Sequence, residues 1–113
     1  MTVTNPSTLQ IQTTLREVTR RIVETARPER IVLFGSAALG KMNHDSDLDL
    51  LVIMRGPIHR RQMAQKIQRC LHGVALPVDV VVVTDEDVRQ SNAGGFSIIR
   101  PALAEGRVVY DAR

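Results

Sequence analysis

Tryptophan is absent from this sequence, and one tyrosine and two phenylalanines are its only aromatics, so any core must be built from aliphatic side chains. The same scarcity removes the stacking platform on which proteins hold single-stranded nucleic acid. Cys70 is the sole cysteine, which excludes an internal disulfide and a cysteine-based zinc site. Long apolar runs are missing as well: nothing approaches the roughly 20 residues needed to cross a bilayer. Met1 to Gln10 lacks the basic start and apolar centre of a signal peptide. The expected location is therefore the cytoplasm, with no membrane partner. There is no charged tail either. Fifteen Lys and Arg against twelve Asp and Glu give a net charge of +3, which suits an anionic ligand but does not by itself argue for nucleic acid.

What is present is aliphatic and evenly spread. With 113 residues, 43% of them hydrophobic, the chain fits one compact domain. The expectation is a flexible N-terminus over 1–6 and a single domain over 7–113. Ser7 and Gln10 stand in capping-box spacing at the start of a helix, along which Ile11, Leu15, Val18, Ile22 and Ala26 recur on one face. Pro28 ends it. The apolar run within Arg30–Phe34 reads as a buried strand broken by Gly35-Ser36, after which Ala37–Lys41 has room only for a short helix. A polar turn leads to a second strand, Asp47–Met54, closed by Gly56-Pro57 as expected at a helix start.

Ile58–Leu71 is helical in pattern, with Met63, Ile67, Cys70 and Leu71 facing inward. Val78–Val83 reads as a third strand, Thr84 as the cap of a short acidic helix starting at Asp85, and Asn92–Gly95 as a flexible loop. Ser97–Glu105 reads as a helix ended by Gly106, and Val108–Tyr110 as a last strand. This order predicts an α/β (α+β) architecture with helices packed on a small sheet. Strand order and direction do not follow from the pattern.

The chemistry concentrates in Asp47-Leu48-Asp49-Leu50. Side chains alternate along a strand, so Asp47 and Asp49 share one face while Leu48 and Leu50 share the other. Asp79 interrupts the apolar run Val78–Val83, where a charge needs a partner or an exposed strand end. If the third strand lies beside the second, Asp79 falls near Asp47 and Asp49. Three carboxylates converging on one point make a hard oxygen site suited to magnesium, and two such ions could clamp an in-line phosphoryl or nucleotidyl transfer. Gly35-Ser36 supplies an anion cradle: the glycine permits close backbone approach, the following helical turn offers N–H groups, and Ser36 adds a hydroxyl. Alone, the acidic pair is an ordinary solvent-facing strand face and Gly35-Ser36 an ordinary turn; with Asp79 the metal-site reading prevails.

Other residues read more plainly. Asp45 caps or solvates its turn, and His44, His59 and His72 are surface histidines. Arg55, Arg60, Arg61, Lys66 and Arg69 form a solvated face or a contact for an acidic partner; nucleic acid is not the expected partner. Cys70, Phe34 and Phe96 read as packing residues.

Gly35-Ser36-Ala37-Ala38-Leu39-Gly40 followed by Ser46-Asp47-Leu48-Asp49-Leu50 resembles the signature of the DNA polymerase β-like nucleotidyltransferase superfamily, in its minimal nucleotidyltransferase branch. The resemblance covers nearly the whole chain, to Ala104–Asp111. It implies a mixed sheet and transfer of a nucleoside monophosphate from a triphosphate, ATP above all, with release of pyrophosphate. Asp47 and Asp49 would bind two Mg2+ ions. Asp79 would ligate the catalytic one and help deprotonate the attacking hydroxyl. Gly35 and Ser36 would hold the outer phosphates. The family often has arginine where Leu39 stands, and a larger or basic residue at Ala37; Lys41 and Arg55 are the cations available in its place. Relatives of this size are often paired with a HEPN-domain protein in toxin–antitoxin modules, and some of them modify that partner with adenylate. The expected function is thus a protein adenylyltransferase with a HEPN-domain partner and room for a homo-oligomer. The rival is a catalytically weak module that neutralises a partner by occlusion.

Overall fold

The longest element, α1 (Thr8–Ala26), forms where nineteen residues run without glycine or proline. Leu15, Val18 and Ile22 of its apolar stripe are buried, with Ile11 and Ala26 packed beside them. It stops because Arg27 turns into the left-handed region at φ 49°, its N–H donating to the Val23 carbonyl at 3.0 Å, and Pro28 cannot continue the ladder. The computed structural model describes residues 8–35, 38, 48–91 and 98–112. The expected Ser7 cap, the short helix after Gly35 (of which only Ala38 is described) and the Asn92–Gly95 loop lie outside them.

Strand β1 (Arg30–Phe34) follows, then β2 (Leu48–Met54), helix α2 (Arg60–Cys70), β3 (Val78–Thr84), α3 (Asp85–Gln90), α4 (Ile99–Glu105) and β4 (Arg107–Asp111). The sheet order is β3-β2-β1-β4. β1 runs antiparallel to β2 and β4, and β2 runs parallel to β3. The sheet is therefore mixed. Parallel neighbours need a crossover, which α2 provides.

Two cores sandwich the sheet. On one face Ile31, Leu33, Leu48, Leu50, Val52, Val80 and Val82 pack with α1 and α2. On the other, Val32, Leu51, Ile53 and Val83 pack with Ile99 and Ala102 of α4. Among the described residues no helix is long and apolar enough to cross a membrane.

Helix α2 starts later than the Ile58 expected from its pattern. His59 is its cap, the ring Nδ1 accepting from the Gln62 N–H at 3.3 Å. His59 is exposed, as expected of a helix-surface histidine, and it also caps the helix. Gly56-Pro57 does not open the helix; the Gly56 N–H donates to Asp85 Oδ1 at 3.1 Å instead. At α3 the Thr84 cap is present as a full capping box: Thr84 Oγ1 accepts from the Asp87 N–H at 3.1 Å, and the Asp87 carboxylate accepts from the Thr84 N–H at 2.9 Å.

Candidate active site

One end of the sheet carries the predicted chemistry. In the parallel register Asp49 sits directly beside Asp79. Both alternate onto the face of Leu51, Ile53 and Val83, opposite the core under α1 and α2. Both lie near the N-terminal ends of their strands, so neither is sealed into the interior: Asp49 is half-buried and Asp79 exposed. Two carboxylates on adjacent strands repel unless a cation or a donor intervenes.

The antiparallel partner of Asp49 on the other side is Phe34, the last residue of β1. Gly35 follows with φ +73°, where a residue with a side chain is strained. Space demands glycine independently: a Cβ built there would overlap the Asp49 carboxylate oxygen and lie 3.2 Å from its Cγ. The backbone of Gly35 is thus pressed against the side chain of Asp49. Close approach of backbone to a functional group is what a glycine at this point permits.

Gly35, Asp49 and Asp79 therefore come together at one end of three consecutive strands, β1, β2 and β3. Asp47, Ser36 and Lys41 lie outside the described residues, as does Leu39. Arg55 lies at the other end of β2, beyond Met54, where its Nε is 3.5 Å from Glu29 Oε2; it is not placed at this cluster. Among the described residues no group of three or more His, Cys, Asp or Glu side chains is arranged to hold a metal ion.

The donor set nonetheless suits a divalent cation. Two carboxylates from neighbouring strands offer hard oxygen atoms, and the missing Gly35 side chain leaves backbone next to one of them. A divalent cation there would be held by Asp49 and Asp79, and an anionic ligand would meet the backbone of Gly35.

Phe34 was read from sequence as a packing residue, and it does pack against the second core. It also lines a cleft of about 410 Å³ with Gly35, Ile98, Pro101, Ala102 and Glu105. Gly35, which lines that cleft, also meets the Asp49 carboxylate, so Phe34 borders the surroundings of the site. Its position just before the strand-ending glycine was the available signal. Arg60 is the second revision: rather than part of a solvated face, it grips Asp87 with two hydrogen bonds of 2.6 and 2.7 Å. Cys70 is half-buried against the core, as its spacing suggested.

Comparison with known proteins bears on this arrangement. The nucleotidyltransferase domain family matches residues 14–107. No curated protein matches. Among solved structures, a candidate nucleotidyltransferase from Sulfolobus solfataricus is 18% identical, with a TM-score of 0.63 over 91% of this chain and 84% of that one. The complex of tri-AMPylated Shewanella oneidensis HEPN toxin with MNT antitoxin contains a chain 17% identical, with a TM-score of 0.55 over 89% of this chain and 72% of its own. The spectinomycin adenyltransferase AAD(9) from Enterococcus faecialis, solved with ATP and spectinomycin, is 14% identical, with a TM-score of 0.56 over 92% of this chain and 56% of that one. At such identities the structural likeness speaks for the fold, while the family match spans most of the sequence together with Gly35, Asp49 and Asp79. The chain belongs to the nucleotidyltransferase domain family.

Proposed function

We propose that this protein transfers a nucleoside monophosphate, AMP from ATP, to a hydroxyl on a partner protein, as the antitoxin of a HEPN-type toxin–antitoxin pair. The observation that carries the reading is the register pairing of Asp49 with Asp79 beside a glycine pressed against Asp49. Carboxylates set side by side in register repel each other, and a site for cations and phosphates makes use of that placement.

Asp47, Asp49 and Asp79 would hold Mg2+, which when bound neutralises phosphate charge and lowers the barrier to in-line displacement. The residues themselves do the rest. Gly35 and Ser36 position the outer phosphates, with Lys41 as an added cation. Asp79, exposed on β3, takes the proton of the acceptor hydroxyl. The hydroxyl oxygen bonds to the α-phosphorus, the bond from that phosphorus to the bridging oxygen breaks, and pyrophosphate leaves. ATP and a protein acceptor are favoured because a similar structure holds AMPylated HEPN toxin and another holds ATP.

Incubation with Mg2+ and ATP labelled on the α-phosphate, with and without the protein encoded beside it, tests this. Label should appear on the partner and disappear with EDTA. Absence of label on a cognate partner, together with no nucleotide-dependent rise in melting temperature, would remove the reading. Neutralisation of the partner without any label would instead favour occlusion.

A further inference from the structure

β3 is an edge strand: among the described residues no strand pairs with its outer side. Which of its backbone groups face outward follows from parity. The Leu48 N–H donates to the Pro77 carbonyl at 2.9 Å, so the Pro77 carbonyl and the N–H and C=O of Asp79, Val81 and Val83 face β2. Val78, Val80, Val82 and Thr84 direct theirs to the free side. Both ends of this edge are closed by side chains. Gln68 Nε2 of α2 donates to the Val78 carbonyl at 3.2 Å, and Asp87 accepts from the Thr84 N–H at 2.9 Å. What remains is a short window at Val80 and Val82, next to Asp79.

From this geometry we infer that the acceptor reaches the site as an extended peptide segment that adds to the outer edge of β3 at Val80 and Val82. This rests on the transfer reading above and names how its acceptor is held. An exposed row of unpaired N–H and C=O groups is a template for another strand. Asp79 faces β2 with its own N–H and C=O, so an antiparallel newcomer would meet it in a non-hydrogen-bonded pair. Opposed side chains approach most closely in such pairs. A serine, threonine or tyrosine at that position of the newcomer would share the face of Asp79 and Asp49, its hydroxyl within reach of the Asp79 carboxylate. The sheet order then sorts the ligands. Phosphates come from the side of β1 and Gly35, the acceptor from the side of β3, and the carboxylates stand between.

The two closed ends restrict pairing along this edge. Only one short stretch can pair, which limits the contact to a few residues of the incoming chain.

The edge can be altered one atom at a time. Replacing the Val82 amide by an ester in synthetic protein removes the outward N–H and keeps the side chain; it also weakens the Val81 carbonyl as an acceptor toward β2, so rates are compared per folded molecule. The probes are casein, an unfolded hydroxyl-rich chain, and glycerol, an alcohol with no peptide backbone. Labelled-AMP transfer to casein should fall roughly threefold to tenfold, the effect of one hydrogen bond, while transfer to glycerol and nucleotide-dependent thermal stabilisation stay unchanged. Equal rates on casein for ester and amide proteins would overturn the inference, as would labelling of glycerol but never of casein. Labelling of neither probe while the cognate partner is labelled would overturn the inference, and no label on any of the three, with ATP still binding, would sink the transferase reading itself. A parallel readout is amide exchange: Val80 and Val82 should become protected at least tenfold by casein in the presence of a non-hydrolysable ATP analogue. Protection elsewhere but not there would count against the edge.

Discussion

The two ends of the sheet treat acidic side chains in opposite ways. At the end where β2 and β3 finish, Asp87 is almost fully buried and held by Arg60 through two hydrogen bonds, and by the N–H of Thr84. The guanidinium of Arg60 pulls the Asp87 carboxyl below its ordinary value, against the effect of burial, with the Thr84 backbone assisting. Asp85 accepts from the Gly56 backbone nearby. At the end where these strands begin, Asp49 and Asp79 stand next to each other in register, near solvent, with the Gly35 backbone against one of them. The far end uses carboxylates to tie α2 to α3 and complete a cap. The near end sets like charges in register on neighbouring strands, where those strands open toward solvent. Acidic residues of one type thus divide into those the fold consumes and those it presents.

Substitution at the near end should break activity and spare the fold. Asp79→Asn and Asp49→Asn are each expected to lower the rate of nucleotidyl transfer roughly a thousandfold, the scale of losing a group that stabilises several kcal/mol of transition-state charge. The melting temperature should fall far less than on loss of Asp87, because each substitution also removes a like-charge neighbour. Rate assays with labelled ATP beside thermal melts separate the two effects. A large fall in melting temperature would place these carboxylates with Asp87, as structural groups.

Gly35→Ala sits between the ends in character, since it should damage both properties. A side chain at φ +73° costs about 1–2 kcal/mol, and its overlap with the Asp49 carboxylate must push that side chain aside. Loss of transfer larger than the loss of stability explains is the expected result. Chemical denaturation gives the first quantity and the labelled-ATP assay the second.

At the far end the pattern should invert. Asp87→Ala removes a cap and the two hydrogen bonds from Arg60, and should cost about 1–3 kcal/mol of stability with transfer unaffected per folded molecule. The pH dependence carries the same signature. The folded carboxyl is depressed below its ordinary value of 3.8, so its contribution is complete above about pH 4 and fades as pH falls through the depressed value. Acid titration of the wild type should therefore show a stability decrement in that range which Asp87→Ala lacks.

Much of this division was legible before any coordinates. Alternation along Asp47–Met54 placed Asp49 and Leu50 on opposite faces, and the structure has them so. A charge interrupting Val78–Val83 marked Asp79 as exceptional, and helical spacing identified Leu15, Val18 and Ile22 as buried. Thr84 was readable as a cap because its partners are local in the chain. What escaped reading was long-range. Nothing in the pattern said that β2 and β3 are neighbours, and the Asp49–Asp79 pairing depends wholly on that. The Arg60–Asp87 contact spans 27 positions, and a basic residue among five on one stretch gives no local sign of which one is engaged. Phe34 looked like core because its hydrophobicity is local information, whereas its place opposite Asp49 is set by antiparallel register.

Not every well-formed ion pair behaves like the far end, and Glu17 tests the distinction most finely. It accepts from Arg20 and Arg21 at 2.6 and 2.7 Å, and those hydrogen bonds lower its pKa to about 2. By distance alone it equals Asp87. By setting it does not: Glu17 lies on the outer face of α1 with its side chain 38% exposed, and Arg20 is more open still. Solvent screens such pairs, and holding long side chains in one geometry offsets much of the attraction. Glu17→Gln should therefore move the melting temperature by no more than about a few degrees, and high salt should erase what difference there is. Arg21→Met should do more, because Arg21 also donates to the His72 carbonyl at 2.9 Å and so links α1 to the turn after α2. If Glu17→Gln proved as costly as Asp87→Ala, burial would not be what distinguishes the acidic residues that hold this fold together.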